Sequence, residues 1–558
     1  MDVPSYHLNF VTEEYDENGM LKKFGIKYPD NFNYAYDIID KYGEIEPNRR
    51  ALMWVDLQGN EKLLTYGDLS RLSTQAANMF LDWGIKKGDR VMLVLKRNYQ
   101  YWYAILGLMK IGAIAIPATH MLTTKDFVYR FEAAGVTAVI ATTHAEVAHY
   151  IDDADRQLGG VLRVKGIVNG SHEGWHELDK EIQKYPTTME RVPTKAEEFH
   201  LMYFTSGTTG YPKMVVHDHT YGLAHIQTAK HWQNVDPDGI HLTISDTGWA
   251  KAAWGKLYGQ MAMGTCVFVY DFDKFIPENM LHIMEKYKIT TFCAPPTMFR
   301  FFIKEGIGKY DLSSLKYCTI AGEALNPEVF NKWYEYTGIK LMEGFGQSES
   351  TAILANIRGM TPKPGSMGKP TPLYNVDLVD AEGNSVPVGE VGEIVVRGEY
   401  TNTPGLYRGY YRNKELTDDA WHDGLYHTGD TAYRDEDGYY WYVSRNDDVI
   451  KSSGYRVGPF EVESVLIAHP AVLECAVTGV PDPIRGQIVK ATIVLTKDYQ
   501  PSDQLAEELK TYVKHNTAPY KYPRMIEFVK ELPKTVSGKI MRAEIRRRDM
   551  EKYKDTSL

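Results

Sequence analysis

The feature that most constrains the fold is an alternation of amphipathic helices with short, continuously apolar segments. Thr65, with Asp68 three residues on, is typical of a helix cap, and the apolar side chains that follow share one helical face until Gly84. Continuously apolar segments then recur between further helical stretches, at 91–95, 113–117 and 136–140. Strands that are apolar throughout are typical of a parallel sheet covered on both faces, so this region is predicted to be α/β.

The same alternation resumes after residue 213 and then gives way to other patterns. Four more apolar segments predict a second α/β layer, at 242–245, 266–270, 290–294 and 318–321. Short alternating segments with Gly and Pro between 376 and 430 predict a β-rich subdomain. A final helix–strand–helix pattern predicts a small α+β domain. A chain of 558 residues is too long to fold around a single hydrophobic core, so more than one domain is expected. We therefore predict a large N-terminal domain, 1–446, and a small C-terminal domain, 447–558.

Charge and cysteine content limit the possible partners. The net charge is −10, so no basic field favours nucleic acid or an anionic membrane. The four cysteines are scattered, which argues against disulfides and fits a reducing compartment. The apolar run 105–118 contains Lys110 and is too short to span a bilayer, and the N-terminus lacks the pattern of a signal peptide. These features predict a cytoplasmic protein whose oligomeric state is open, with a homodimer as one option.

A loop rich in glycine and hydroxyl side chains is the first chemical signal. The stretch Tyr203–Lys213 places two glycines, four hydroxyls and a lysine around one tight turn, as a phosphate-binding loop requires. The residues concerned are Thr205, Ser206, Gly207, Thr208, Thr209, Gly210 and Lys213. Their spacing differs from that of a P-loop NTPase, which needs G-x-x-x-x-G-K-[ST]. The alternative is a solvent-exposed linker.

Four later stretches supply complementary chemistry. Glu349, after Phe345, could hold Mg²⁺ beside an aromatic ring that stacks on a base, and Asp430 could accept two ribose hydroxyls. The stretch 445–456 begins and ends with arginine, and Lys539 lies in a second glycine-lysine turn. Each residue alone is better explained as a surface carboxylate, a turn former, a salt-bridged arginine or a solvated lysine. Their joint occurrence in this order favours a functional role over these structural explanations.

Together the five stretches resemble the adenylate-forming superfamily of acyl-CoA synthetases, nonribosomal adenylation domains and luciferases. The resemblance runs from about residue 64 to 542 and is greatest for medium-chain acyl-CoA synthetases, through the segments 245–249, 321–325 and 452–459. It implies a large N-terminal domain and a small, mobile C-terminal domain. It also implies two half-reactions. A carboxylate attacks the α-phosphorus of MgATP, and the thiol of coenzyme A then displaces AMP from the acyl-AMP.

The resemblance also implies a role for each matching residue. Lys539, Glu349, Lys213 and Thr205 are catalytic, Glu349 holds Mg²⁺, and Asp447 is the hinge. The remaining nucleotide-binding positions are Ser206, Gly207, Thr208, Thr209, Gly210, Gly322, Glu323, Ala324, Phe345, Gly346, Gln347, Ser348, Asp430, Arg445 and Arg456. Ser453 and Gly454 border coenzyme A. The chain departs from the family pattern at Phe345, Ser348 and Ser444, where Tyr, Thr and Gly are common, and none of these changes removes a charge that the mechanism needs.

The acyl pocket is expected around Trp249, Lys251, Trp254, Cys293, Gly322 and Gly346. Acetate-specific relatives carry Trp at the position of Gly346, so glycine predicts room for a longer acid. Trp254 could equally be a core residue. Lys251 could pair with an acid, extend outward, or narrow the tunnel in favour of short or branched chains.

These residues predict an AMP-forming acyl-CoA synthetase for a short- to medium-chain, optionally branched, carboxylic acid. Its substrates are ATP and coenzyme A, and its cofactor is Mg²⁺. Three alternatives stay open: an aryl acid–CoA ligase, an enzyme that loads a carrier protein, and a catalytically silent nucleotide-binding scaffold. Dependence on free coenzyme A separates an acyl-CoA synthetase from an enzyme that loads a carrier protein, and the joint presence of the charged residues argues against a silent scaffold.

Overall fold

The computed structural model describes residues 2–205, 211–322, 325–446, 448–452, 455–482, 485–534 and 539–552, without the side chains of 455, 456 and 519. Predicted site residues outside these ranges are Ser206, Gly207, Thr208, Thr209, Gly210, Glu323, Ala324, Asp447, Ser453 and Gly454.

A seven-stranded sheet forms the first α/β layer. Its order is Lys213–Asp218, Phe199–Thr205, Ile114–Pro117, Arg90–Val94, Ala138–Thr142, Val164–Val168 and His176–Glu177. Neighbours are parallel except the first pair, which is antiparallel. The three apolar strands predicted before residue 140 lie side by side here and are almost fully buried, so the prediction of a covered parallel sheet is confirmed.

A nine-stranded sheet forms the second layer. Its order is Lys369–Pro370, Leu354–Ala355, Leu341–Phe345, Tyr317–Ile320, Thr291–Ala294, Ile240–Thr243, Cys266–Asp271, Arg50–Asp56 and Glu61–Thr65. The strands from Leu341–Phe345 to Arg50–Asp56 are mutually parallel. Of these two layers the chain therefore enters the second first, with Leu52 opposite Val267, then leaves it to build the first sheet, and returns.

Helices cover the faces of both sheets. They span Val3–Tyr6, Lys41–Ile45, Tyr66–Asp82, Gln100–Ile111, Thr124–Ala134, Val147–Gln157, Leu178–Glu181, Tyr221–Gln227, Ala250–Lys256, Tyr258–Ala262, Pro277–Lys286, Pro296–Glu305 and Pro327–Thr337. The predicted cap of the third is present, because Thr65 and Asp68 form a reciprocal capping box. The helix Gln100–Ile111 is buried along its whole length, as its apolar sequence requires. Among the described residues, no helix has the length and apolarity needed to cross a membrane.

Three antiparallel or mixed sheets complete the fold. An N-terminal hairpin pairs Val11–Tyr15 with Leu21–Ile26. The predicted β-rich region contains Asn375–Val379, Val391–Arg397, Trp421–His422, Leu425–Arg434 and Tyr440–Arg445, with the helix Lys414–Ala420. The last sheet contains Ile450–Ser452, Tyr455–Val457, Val472–Asp482, Gly486–Leu495 and Met525–Phe528, with helices Pro459–Ala468, Asp503–Asn516 and Arg542–Lys552. The predicted fold class, two α/β layers with a β-rich region and a C-terminal α+β unit, is confirmed.

The C-terminal sheet and its helices lie against the second α/β layer. Arg300 donates to the carbonyl oxygen of Leu473 at 3.0 Å, and Asn326 donates to that of Ser464 at 3.1 Å. These few polar contacts bring the C-terminal residues to the edge of the sheet where the parallel strands end. That edge is where ligands of α/β proteins bind.

Candidate active site

The predicted phosphate-binding loop joins two antiparallel strands at the edge of the first sheet. Thr205 ends one strand and lies opposite Lys213, which begins the other. The hairpin therefore fixes both ends of the loop, whose residues 206–210 lie outside the described part. Tyr211 stacks on Tyr129 at 4.9 Å between ring centroids, which anchors the loop to the helix Thr124–Ala134.

A tyrosine that the sequence analysis missed joins Lys213 to Glu349. The ammonium of Lys213 lies 3.3 Å from the phenol oxygen of Tyr410 and 4.9 Å from the centre of its ring. The same phenol donates to Oε1 of Glu349 at 2.9 Å. Burial, and then the charge of Glu349, raise the pKa of Tyr410 far above its usual value, so the phenol keeps its proton.

The backbone around Tyr410 explains why it reaches the site. The segment before it runs along the strand Lys213–Asp218, where Arg408 donates its N–H to Val216 and Tyr411 donates to Met214, both at 2.8 Å. No charge or spacing rule distinguishes Tyr410 from its neighbours Tyr407 and Tyr411 in the sequence. Only the pairing of this segment with a strand some two hundred residues earlier in the chain singles it out.

The segment that follows Phe345 is held by contacts on both sides. Nε2 of His217 lies 2.8 Å from the carbonyl oxygen of Ser348, and the N–H of Tyr407 donates to the carbonyl oxygen of Glu349 at 2.7 Å. Burial lowers the pKa of His217 to about 3, so its ring is neutral and Nε2 is the donor. Phe345 is the last residue of its strand and is half-buried. These contacts fix the predicted Mg²⁺ carboxylate relative to the first sheet.

Asp430 lies at the centre of a buried polar group. Its Oδ2 accepts from Gln347 at 2.6 Å and from Arg445 at 3.3 Å, and its Oδ1 accepts from Tyr442 at 3.2 Å. Arg445 faces Asp430 because the two residues pair across adjacent strands. The amide oxygen of Gln347 accepts from Tyr426 at 2.6 Å, which orients the amide. The predicted ribose carboxylate and its predicted neighbours are therefore brought together.

The charge of Lys539, in the C-terminal part of the chain, acts on the carboxylate of Asp430. Burial raises the pKa of Asp430 above its usual value, and the charges of Arg445 and of Lys539, with hydrogen bonds from Gln347 and Tyr442, oppose that rise. Lys539 is exposed, and its positive charge is close enough to act on Asp430 although the two residues are more than a hundred positions apart in the chain. The backbone of Arg456 pairs with Lys451, and its side chain lies outside the described part.

The structure brings Gly346 next to Trp254, as the predicted acyl pocket requires. A Cβ atom at Gly346 would lie 2.5 Å from the carbonyl oxygen of Thr351 and 2.7 Å from Cζ2 of Trp254, so only glycine fits here beside the indole. Cys293 is 1% exposed and belongs to the same buried cluster as Trp254. The predicted room for a longer acid stays a prediction.

Lys251 and Gly322 are brought together through Ala321. The ammonium of Lys251 donates to the carbonyl oxygen of Ala321 at 2.9 Å, so the side chain turns inward rather than towards solvent. Gly322 has a φ of +103°, which favours glycine, and among the described residues beyond its chain neighbours no heavy atom lies within 4 Å of where its Cβ would be. Trp249, half-buried, precedes the helix Ala250–Lys256 that carries Lys251 and Trp254.

Two family models match the chain. The model described as AMP-binding enzyme matches residues 39–411, and the model described as AMP-binding enzyme C-terminal domain matches residues 461–539. The chain therefore belongs to the family of AMP-binding enzymes.

Named relatives show which kind of AMP-binding enzyme the chain resembles. The acyl-coenzyme A synthetase ACSM3 of Rattus norvegicus is 41% identical over 98% of this chain and 94% of its own length. The human acyl-coenzyme A synthetase ACSM5 is 42% identical over 93% and 90%. The solved anthranilate CoA ligase AuaEII, in complex with anthranoyl-AMP, is 30% identical with a TM-score of 0.86, covering 94% of this chain and 99% of that one. The resemblance to acyl-CoA synthetases is confirmed.

The prediction of a cytoplasmic protein is wrong. The ACSM3 and ACSM5 relatives are named mitochondrial. Four buried, free cysteines fit a reducing compartment, but that property does not separate the cytoplasm from another reducing compartment.

Proposed function

We propose that this chain activates a short- to medium-chain carboxylic acid with MgATP and transfers the acyl group to coenzyme A. An AMP-forming acid–CoA ligase is the enzyme class that the sequence predicts, and the relatives' names, which are those of acyl-CoA synthetases, agree with it. The relatives' names also favour a mitochondrial location over the cytoplasmic one.

The observation that carries the proposal is the meeting of two distant parts of the chain at Asp430. Gln347, Tyr442 and Arg445 satisfy this buried carboxylate from the N-terminal region, and the charge of Lys539 acts on it from the C-terminal region. A ribose bound at Asp430 would therefore place an α-phosphate near a mobile ammonium. This is the arrangement needed for the first half-reaction.

In that half-reaction, negative charge accumulates where the substrate carboxylate meets the α-phosphate. Lys539 would bridge these two anions, while Lys213 and the loop after Thr205 hold the β- and γ-phosphates. Phe345 and the segment at Gly322 would border the adenine, and Asp430 would accept the ribose hydroxyls. Arg445, already hydrogen-bonded to Asp430, reaches the same ribose or its phosphate.

Glu349 fits a Mg²⁺ site. It is a buried carboxylate on the phosphate side, held by Tyr410 through one oxygen, and a single carboxylate with phosphate oxygens and water is a typical Mg²⁺ donor set. When bound, Mg²⁺ neutralises phosphate charge. Glu349 would hold such an ion, and Tyr410 keeps the carboxylate of Glu349 in place.

For the second half-reaction we propose that the C-terminal domain, 447–558, turns about Asp447 relative to the domain 1–446. Lys539 would leave the site, and Ser453 and Gly454 would enter beside the pantetheine arm of coenzyme A. The residues on either side of the proposed hinge form ion pairs with different parts of the chain. Arg445 pairs with Asp430 of the N-terminal domain, and Asp448 pairs with Arg546 of the helix Arg542–Lys552.

Two residues beside the expected acid pocket bear on chain length. Trp254 packs beside Gly346, and Lys251 donates to the carbonyl oxygen of Ala321, where it could narrow the tunnel. Each additional buried CH₂ contributes only about 0.8 kcal/mol, about fourfold in selectivity, so the preference should be graded. Lys251→Leu should shift the profile towards longer acids. An unchanged profile would remove Lys251 from the specificity determinants.

An aryl acid is the second candidate, because the anthranilate CoA ligase is similar over nearly the whole chain. The deciding experiment measures acid-dependent pyrophosphate release from MgATP across linear C2 to C10, branched C4 to C6 and aryl acids, with and without coenzyme A. Formation of AMP and acyl-CoA from some of these acids supports the proposal. Formation of acyl-AMP without any acyl-CoA product when coenzyme A is supplied would favour loading of a carrier protein. No release with any acid, from folded protein that binds ATP, would favour a silent scaffold.

A further inference from the structure

The phenol of Tyr410 stands between a cation and an anion that act on the same substrate. It accepts a hydrogen bond from Lys213 at 3.3 Å and donates one to Glu349 at 2.9 Å. Both residues have proposed roles at the triphosphate, and Tyr410 lies between them without a proposed contact to it. The side chain is 7% exposed and offers its ring face to the ammonium as well.

A neutral spacer here has a clear physical advantage over direct pairing. With no group between them, an ammonium and a carboxylate this close would form a salt bridge. Such a pair would compete with phosphate for the lysine and with a metal ion for the carboxylate. A phenol avoids this because it accepts on one side and donates on the other, so each charged partner keeps further hydrogen-bonding capacity for substrate.

The position of the phenol is fixed by its surroundings. The N–H of Tyr410 donates to Oγ1 of Thr417 at 2.9 Å, and its ring packs on that of Tyr407 at 4.9 Å. The preceding Gly409 has a φ of +90°, which sets the turn that carries Tyr410 to the strand Lys213–Asp218. The oxygen is therefore held at one place between Lys213 and Glu349.

We propose that Tyr410 is a positioning residue that keeps Lys213 and Glu349 apart, so that both charges are available to a metal–triphosphate complex. The inference rests on the proposed function for the identity of that complex. It assigns to Tyr410 no contact with the reacting atoms.

The test compares Tyr410→Phe with Tyr411→Phe in the full-length protein. The first variant removes the bridging hydroxyl and keeps the ring, and the second removes a hydroxyl next in sequence that contacts neither Lys213 nor Glu349 among the described residues. Binding of Mn²⁺ in the presence of a non-hydrolysable ATP analogue, followed by electron paramagnetic resonance, reports the site without turnover. We expect Tyr410→Phe to bind the ion about tenfold more weakly, as expected for loss of one hydrogen bond to a charged group, and Tyr411→Phe to match wild type.

A second measurement separates positioning from a general loss of structure. Transfer of the acyl group from supplied acyl-AMP to coenzyme A needs neither pyrophosphate nor the phosphate-binding lysine, so Tyr410→Phe should retain it. In the pyrophosphate-releasing step the same variant should show a raised half-saturating Mg²⁺ concentration, with kcat recovering at high Mg²⁺. Equal ion binding by Tyr410→Phe and wild type would overturn the proposal, as would equal loss of both half-reactions. Wild-type protein that released no pyrophosphate would instead count against the proposed function, while the ion-binding comparison would still decide on Tyr410.

Discussion

The two lysines proposed to contact the triphosphate lie in different parts of the fold and differ in exposure. Lys213 begins a sheet strand, is half-buried and rests on Tyr410, which in turn holds Glu349. Lys539 is exposed, follows a segment outside the described residues, and acts on Asp430 through its charge. The difference matches the proposed chemistry. A charge that holds the same phosphates throughout a step benefits from a rigid support, and a charge that must leave between steps needs to lie on the part of the chain that moves.

The strongest test of this contrast is Lys539→Ala. Removing a preorganised cation from the adenylation step should slow acyl-AMP formation by about a hundredfold or more, about 3 kcal/mol, while leaving thioester formation from supplied acyl-AMP near wild type. Lys534→Ala is the matched control, because Lys534 lies nearby and pairs with Glu474 at 2.7 Å. Equal slowing of both half-reactions would mean that Lys539 does not act in one step alone.

Asp447→Pro tests whether the C-terminal lysine must be withdrawn. Proline restricts φ at the proposed hinge, so acyl-AMP should still form and acyl-CoA formation should fall by roughly tenfold or more. The two half-reactions would be followed separately by pyrophosphate release and by thioester formation. Parallel loss in both would place the hinge elsewhere.

Lys213→Ala tests the lysine that is held by Tyr410. The expected result is a KM for MgATP raised roughly tenfold, since one charged hydrogen-bonding partner of the phosphates is lost, with little effect on acyl transfer from acyl-AMP. Lys125→Ala is the control, because Lys125 is an exposed lysine on the helix that packs against the loop through Tyr129. An unchanged KM for MgATP would separate Lys213 from the phosphates.

The last test concerns stability rather than activity, at Glu343 on the strand that leads to Phe345. Burial raises the pKa of Glu343 to about 8 from 4.5, opposed by a hydrogen bond from the backbone of Leu325. Between these pH values the native state keeps a proton that the unfolded chain releases, so stability should fall as pH rises, by up to about 1.4 kcal/mol for each pH unit. Glu343→Gln should flatten this part of a urea-unfolding profile, and Glu335→Gln, at an exposed site on the neighbouring helix, should not. A slope retained in Glu343→Gln would assign it to another group.

Much of the site could be predicted because its residues lie next to strong local signals. Three segments have a recognisable local chemistry: the glycine-rich hairpin, the aromatic-glycine segment before Glu349 and the Thr-Gly-Asp sequence at Asp430. The order of these segments along the chain then indicated the family. Tyr410 shows the limit. Nothing in its own segment distinguishes it from Tyr407 and Tyr411, because the strand with which it pairs lies some two hundred residues earlier in the chain.

The sequence by itself determined the α/β alternation, the helix caps, the family and the charged residues proposed for catalysis, because each depends on residues near one another in the chain. Tertiary structure alone decided that the strand Arg50–Asp56 joins the second sheet, that Lys251 turns inward, and that Tyr410 links Lys213 to Glu349. All three depend on contacts between distant segments. Such contacts are set by which surfaces bury together when the whole chain folds, and no spacing within one segment records them.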